Sequence, residues 1–155
     1  MSADDSLVRE TTVAVEPERA WTLFVDRFAD WWPQAYSFSQ DQLAAIGIEP
    51  QPGGRCFERD ATGQTLTWGT VLAAERPARL LFVWQITMDR RIEPDTNRAS
   101  EVEVVFEPES TGTRVQLTHR AFNRHGGDWR AYLAGMGSEQ GWSYCLDRFA
   151  AFADS

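Results

Sequence analysis

The stretch Gly141 to Phe152, GWSYCLDRFAAF, sets Trp142, Cys145, Leu146, Phe149 and Phe152 at steps of three and four, the mark of one apolar helical face. Asp147 and Arg148 fall on the other side. Trp129, Tyr132, Leu133 and Met136 keep the same spacing one segment earlier, and no proline interrupts the chain from Gly126 onward. Gly135, Gly137 and Gly141 soften the junction, since a glycine inside a helix costs roughly 1 kcal/mol relative to alanine. One long helix satisfies this pattern, and so does a short helix leading into a longer one. A helix this aromatic demands a large apolar partner, and that demand restricts the fold more than any other feature.

The remainder of the chain supplies the partner as strands. Leu7 to Val15 is β-branched and partly alternating, and reads as the first. Glu16-Pro17-Glu18 opens a helix with proline early and acids in its first turn; Ala20, Trp21, Phe24, Val25 and Phe28 share a face, and Pro33 ends it after Trp31-Trp32. Gln34 to Gln42 is polar and aromatic and reads as a loop over the mouth of something. Further strands are expected at Ile46–Pro50, Arg55–Asp60, Thr65–Glu75, Arg79–Thr87, Ser100–Glu107 and Thr113–Arg120, joined mostly by short turns such as Pro52-Gly53-Gly54 and Ala61-Thr62-Gly63-Gln64. Asp89 to Ala99 is charged and aperiodic, a long exposed hairpin loop. Consecutive strands with short turns form an antiparallel meander.

Alternation sorts the faces. Val102, Val104 and Phe106 oppose Glu101, Glu103 and Glu107; Val115, Leu117 and His119 oppose Arg114, Gln116 and Arg120. The sheet has one apolar and one charged face, and only the terminal helix is long and apolar enough to cover the former. A curved sheet gripping one helix leaves an internal space where the two diverge. The fold class is therefore α+β: a curved antiparallel sheet of about six or seven strands wrapped around a C-terminal helix, in a single domain over residues 1–155.

Seven tryptophans and nine phenylalanines in 155 residues imply a thick core, a lined cavity, or both. A net charge of −8 argues against nucleic acid and anionic membrane, which require basic patches. All 15 basic residues are arginine, which removes Schiff-base lysine chemistry and the lysine-dependent phosphate loop. No apolar run has the roughly 18 to 20 residues needed to span a membrane. MSADDSLVRE lacks the parts of a signal peptide, so a cytoplasmic location is expected, with Cys56 and Cys145 as buried free thiols.

At this point the chain resembles the helix-grip superfamily (START-type, SRPBCC), and within it the bacterial branch named after the activator of heat shock protein 90 ATPase. The stretches are VEPERAWTLFVDRFADWWP, the turn Gly53 to Arg55, WGTVLAAERPARLLFVWQI, EVEVVFEPESTGTRVQLTHRAF and GWSYCLDRFAAFA, which together cover nearly the whole chain. The resemblance implies strand, two short helices, six strands and a long helix. Members include lipid carriers, hormone receptors, cyclases and chaperone cofactors, so fold alone does not choose a function. The eukaryotic activator carries a separate N-terminal domain that docks on the chaperone; no stretch here corresponds to it, and a chaperone is the least expected partner.

The leading expectation is a small apolar or aromatic ligand bound between sheet and terminal helix. Its candidate contacts are Trp32, Tyr36, Phe38, Arg55, Trp68, Phe82, Trp84, His119, Trp142 and Leu146, each of which also serves plain core packing, or in the case of Arg55 an exposed edge. The alternatives are a polyketide cyclase or aromatase-like enzyme using His119, Tyr36 and Arg55, and a protein-binding accessory domain. No catalytic set such as GxSxG is present. Two histidines without paired cysteines, and no HExxH, leave metal and cofactor unexpected. The sequence is compatible with a homodimer but carries no signal for one.

Overall fold

A computed structural model describes residues 3–155; residues 1 and 2, at the start of the stretch read for a signal peptide, lie outside it. Seven strands, β1 (Leu7–Val13), β2 (Leu43–Ile48), β3 (Arg55–Asp60), β4 (Thr65–Glu75), β5 (Arg79–Trp84), β6 (Ser100–Glu109) and β7 (Gly112–Arg120), form one antiparallel sheet. The order β1–β7–β6–β5–β4–β3–β2 is a meander in which the first strand returns beside the last. β2 begins three residues earlier than expected and stops at Ile48, because the chain already turns at Glu49, where Gln51 and Gly54 close a tight loop. β5 ends at Trp84, and Ile86 makes only an isolated bridge to Ile92.

The helix after β1 is less regular than its apolar stripe predicts. Pro17–Trp21 (α1) is α-helical, Thr22–Asp26 widens into a π-helical turn, and Phe28–Trp31 (α2) resumes. The Arg27 N–H reaches back five residues to the Thr22 carbonyl, which defines the wider turn. Arg76, in the β4–β5 turn, staples this segment to the sheet. It donates to Glu18 at 2.6 Å, Asp26 at 3.0 Å and the Thr22 hydroxyl at 2.8 Å.

The C-terminal helix is two helices, α3 (Trp129–Met136) and α4 (Trp142–Ala153). The break falls at the glycines. A Cβ on Gly141 would stand 2.0 Å from the Met136 carbonyl oxygen, so only glycine permits the tight return. Arg9 fastens the junction to β1 by donating to the Gly137 carbonyl at 2.6 Å, and Arg148 fastens α4 to the end of α2 through the Trp31 carbonyl.

The alternating pattern becomes burial. Val102, Val104, Phe106, Val115, Leu117 and His119 are buried on the face that meets the helices. Glu101, Glu103 and Glu107 face outward and pair with Arg120, Arg124, Arg79 and Arg114. Surface pairs of this kind, partly covered here, contribute on the order of 1 kcal/mol or less each, so the fold rests on the apolar side. Trp142, Leu146 and Phe149 of α4 are buried there with Phe24 and Trp31, at about 1.5–3 kcal/mol per large aliphatic or phenyl side chain.

Candidate functional site

Where α3 leaves the sheet, a cavity of about 270 Å³ remains, near the lower end of the range for ligand pockets, about 300–1,000 Å³. Its inner wall is aromatic: Trp32 from the end of α2, Trp68 from β4, Trp84 from β5 and Trp142 from α4. Each of the four indoles contacts at least two of the others. Trp32 lies 5.7 Å from Trp142, 6.3 Å from Trp84 and 6.4 Å from Trp68, centroid to centroid. Trp84 lies 5.4 Å from Trp142 and 5.8 Å from Trp68.

A β-bulge aims Trp68. Cys56 pairs with Gly69 and Phe57 with Thr67, leaving Trp68 as the extra residue of β4. The bulge breaks the period of two, so Trp68 and Val71 are both buried although their parities differ. Gly69 makes it possible, since a Cβ there would lie 2.7 Å from the Val83 carbonyl oxygen.

Hydrogen bonds fix the other rings. The Trp84 N–H donates to the Tyr132 hydroxyl at 2.8 Å, which donates to the Ile86 carbonyl at 2.6 Å. The Trp142 N–H donates to His119 Nδ1 at 2.9 Å. That bond settles the tautomer: Nδ1 accepts, so Nε2 carries the proton and donates to Ser100 Oγ at 2.7 Å. Ser100 Oγ in turn donates to His125 Nε2 at 2.8 Å. Burial holds the His119 imidazole well below the ordinary histidine value, and nearby His125 acts in the same direction. The Trp68 N–H is enclosed among rings and meets no acceptor.

The mouth is made by three segments distant in sequence. Arg90, at φ 63° in the turn after β5, donates to the carbonyls of Tyr36 at 2.8 Å and Ser37 at 3.2 Å and lies over the Phe38 ring. The Tyr36 hydroxyl donates to the Gln140 carbonyl at 2.7 Å, tying the loop to the α3–α4 junction. Burial raises the Tyr36 value, with Cys145 and Tyr144 adding to it. Beneath this loop sits Glu58, 2 % exposed and part of the cavity wall. Its Oε1 accepts from the Phe38 N–H at 3.1 Å, and its Oε2 from the Ser39 N–H and hydroxyl at 2.7 Å each.

Of the residues expected at the site, Trp32, Tyr36, Phe38, Trp68, Trp84 and Trp142 line this cavity. Phe82 and Leu146 are buried in the core beside it, and His119 stands behind Trp142 with no exposed surface. Arg55 points to the outer side, where its side chain is 54 % exposed and pairs with Glu49 at 3.2 Å. The parity that aligned Arg55 with Phe57 holds; Cys56 and Glu58 are the inward pair of β3. Sequence reasoning set Tyr132 and Cys145 on apolar helical faces but placed neither of them at the site, nor Glu58 or Arg90. Burial pushes the Cys145 thiol up to about 12 and raises the Tyr132 hydroxyl as well, so both stay protonated at neutral pH.

The curved sheet closed over a C-terminal helix is the helix-grip architecture, and the cavity occupies the gap between the two. The model of the family described as Activator of Hsp90 ATPase homolog 1-like protein matches residues 14–154, and the chain belongs to that family. Among solved structures it is similar to the anthrahydroquino-γ-pyrone synthase Txn09, at 35% identity and TM-score 0.65 over 97% of this chain and 99% of that one. It is similar to CalC, a self-sacrificing resistance protein from Micromonospora echinospora, at 27% identity and TM-score 0.69 over 98% and 96% of the two chains. Protein NE0264 from Nitrosomonas europaea shares the fold at 18% identity and TM-score 0.69, over 97% and 95%. No curated protein matches the sequence at a significant level. Among the described residues no helix is long and apolar enough to cross a membrane, and no group of histidine, cysteine and carboxylate side chains could hold a metal ion.

Proposed function

We propose that the chain is a single helix-grip domain that binds a flat aromatic small molecule in the cavity between sheet and C-terminal helices, with Trp32, Tyr36, Phe38, Trp68, Trp84 and Trp142 as its contacts. The observation that carries this reading is the wall of four touching indoles around about 270 Å³ of space. Aromatic faces favour offset or edge-on contact with another ring, and the volume suits a compact fused-ring system better than a sterol or a long acyl chain. The test is thermal unfolding with fused-ring aromatics, sterols and fatty acids. A ligand at 100 times its Kd adds about 2.7 kcal/mol, or about 5–10 °C in Tm for a domain of this length. Shifts from fused-ring aromatics alone support the proposal; no shift from any of them removes it.

A second reading, that the bound molecule is also ring-closed, is favoured by the 35% identity with a γ-pyrone synthase. Intramolecular ring closure needs the substrate held in one fold and a proton moved. Tyr36 lines the cavity, whereas the other two candidates, His119 and Arg55, do not reach it; Glu58 and Tyr132 are the further groups placed to take part. Conversion of an anthrahydroquinone precursor to its γ-pyrone, lost in Glu58→Gln with binding retained, supports it. Binding without turnover by the wild type counts against it.

A further inference from the structure

Of the four indole N–H donors in the inner wall two are spent and a third is walled in, while the wall keeps its acceptors. The Trp84 and Trp142 N–H groups are committed to Tyr132 and His119, and the Tyr36 and Tyr132 hydroxyls to main-chain carbonyls. The Trp68 N–H is walled in. Besides the Trp32 N–H, what remains in the inner wall is lone pairs and ring faces: the oxygens of both tyrosines and the Glu58 carboxylate, which has about four acceptor positions and uses three.

Charge points the same way. Among the described residues Glu58 forms no ion pair within 4 Å. It is 2 % exposed, so its field is little screened inside the cavity. The cationic member of the wall, Arg90, is exposed, bonded through one nitrogen to two carbonyls and directed at the mouth loop. Solvent therefore screens the positive charge much more than the negative one. Indole faces are themselves electron-rich and attract a cation within about 6 Å of the ring centroid. The chain's net charge of −8 adds a long-range attraction for cations.

We propose that the ligand of this cavity carries a protonated amine, seated against Glu58 and the indole faces, with its aromatic body filling the remaining space. This rests on the aromatic-binding reading and narrows it to organic cations. Glu58 then has two tasks, holding the mouth loop through Phe38 and Ser39 and supplying the counter-charge.

The experiment compares four ligands of one shape by calorimetry on the whole chain: 1-naphthylmethylamine, 1-naphthalenemethanol, 1-methylnaphthalene and 1-naphthoate. The expected order of affinity is amine, alcohol, hydrocarbon, acid. The amine should lead the alcohol by about ten-fold or more, as expected for a desolvated cation–π contact with a charged acceptor. In Glu58→Gln the lead should shrink to about two-fold or less. Because that substitution also disturbs the loop, the wild type supplies an independent test: affinity for the amine should fall as pH rises through the amine's own pKa, while affinity for the alcohol stays level. Equal binding of amine and alcohol by the wild type overturns the proposal and leaves the aromatic-binding reading standing. So does an amine lead that persists in Glu58→Gln. Failure of all four to bind overturns both.

Discussion

His119 is a buried base held in one tautomer, and that arrangement predicts acid sensitivity. The ring accepts from Trp142, donates to Ser100 and has no exposed surface. Its folded value lies well below the ordinary 6.5, chiefly through burial. The unfolded chain takes up a proton near 6.5 while the folded chain does not, so the unfolded state gains as pH falls below that value. The stabilisation is present above about 6.5 and is lost progressively beneath it. For a site whose folded value lies far below the window, the loss at pH 5.5 is about 1.4 kcal/mol, the equivalent of one pH unit. His125, also held down by burial, contributes at most a similar amount, so the wild type should lose about 1.4–2.8 kcal/mol between pH 7.5 and 5.5. Urea unfolding of wild type and His119→Gln at both pH values measures this. Gln keeps one acceptor and one donor and does not titrate, and the carboxylates common to both proteins cancel in the comparison. The variant should lose about 1.4 kcal/mol less than the wild type over the interval, whatever its stability at pH 7.5. Equal losses would refute the assignment of His119 as a buried neutral group.

Two further substitutions test the cavity wall. Gly69→Ala drives a Cβ to 2.7 Å from the Val83 carbonyl oxygen, a main-chain atom that cannot yield without parting β4 from β5; it should cost about 1–3 kcal/mol, and a urea midpoint equal to wild type would show the bulge to be dispensable. Tyr132→Phe strands the Trp84 N–H and the Ile86 carbonyl together and should cost about 1–3 kcal/mol, whereas an unchanged midpoint would mean that the hydroxyl does not anchor Trp84.

Strand positions were legible because burial on one face imposes period two: Val102, Val104 and Phe106 could face only one way. The meander, the terminal helices and the glycines between them were legible for similarly local reasons. Trp68 required a bulge that alternation alone does not announce, and its side became certain only from the pairing of Cys56 with Gly69. Glu58 reads in RCFERD as one more surface acid; it is buried because the turn segment Phe38–Ser39, some twenty residues earlier, brings it donors. Arg90 belongs to an aperiodic charged stretch, and its place at the mouth depends on a positive-φ turn. Local periodicity reports which side of an element faces the core. It does not report which distant loop arrives to satisfy a buried charge.

The touching indoles also have an optical consequence. Excitation on one ring passes readily to neighbours 5.4–6.4 Å away, because dipole coupling rises steeply at short range. The four tryptophans of the cavity therefore behave as one antenna. A single ring bound against any of them drains emission from all, which makes the unlabelled protein a sensitive reporter of occupancy and a poor reporter of which wall was touched.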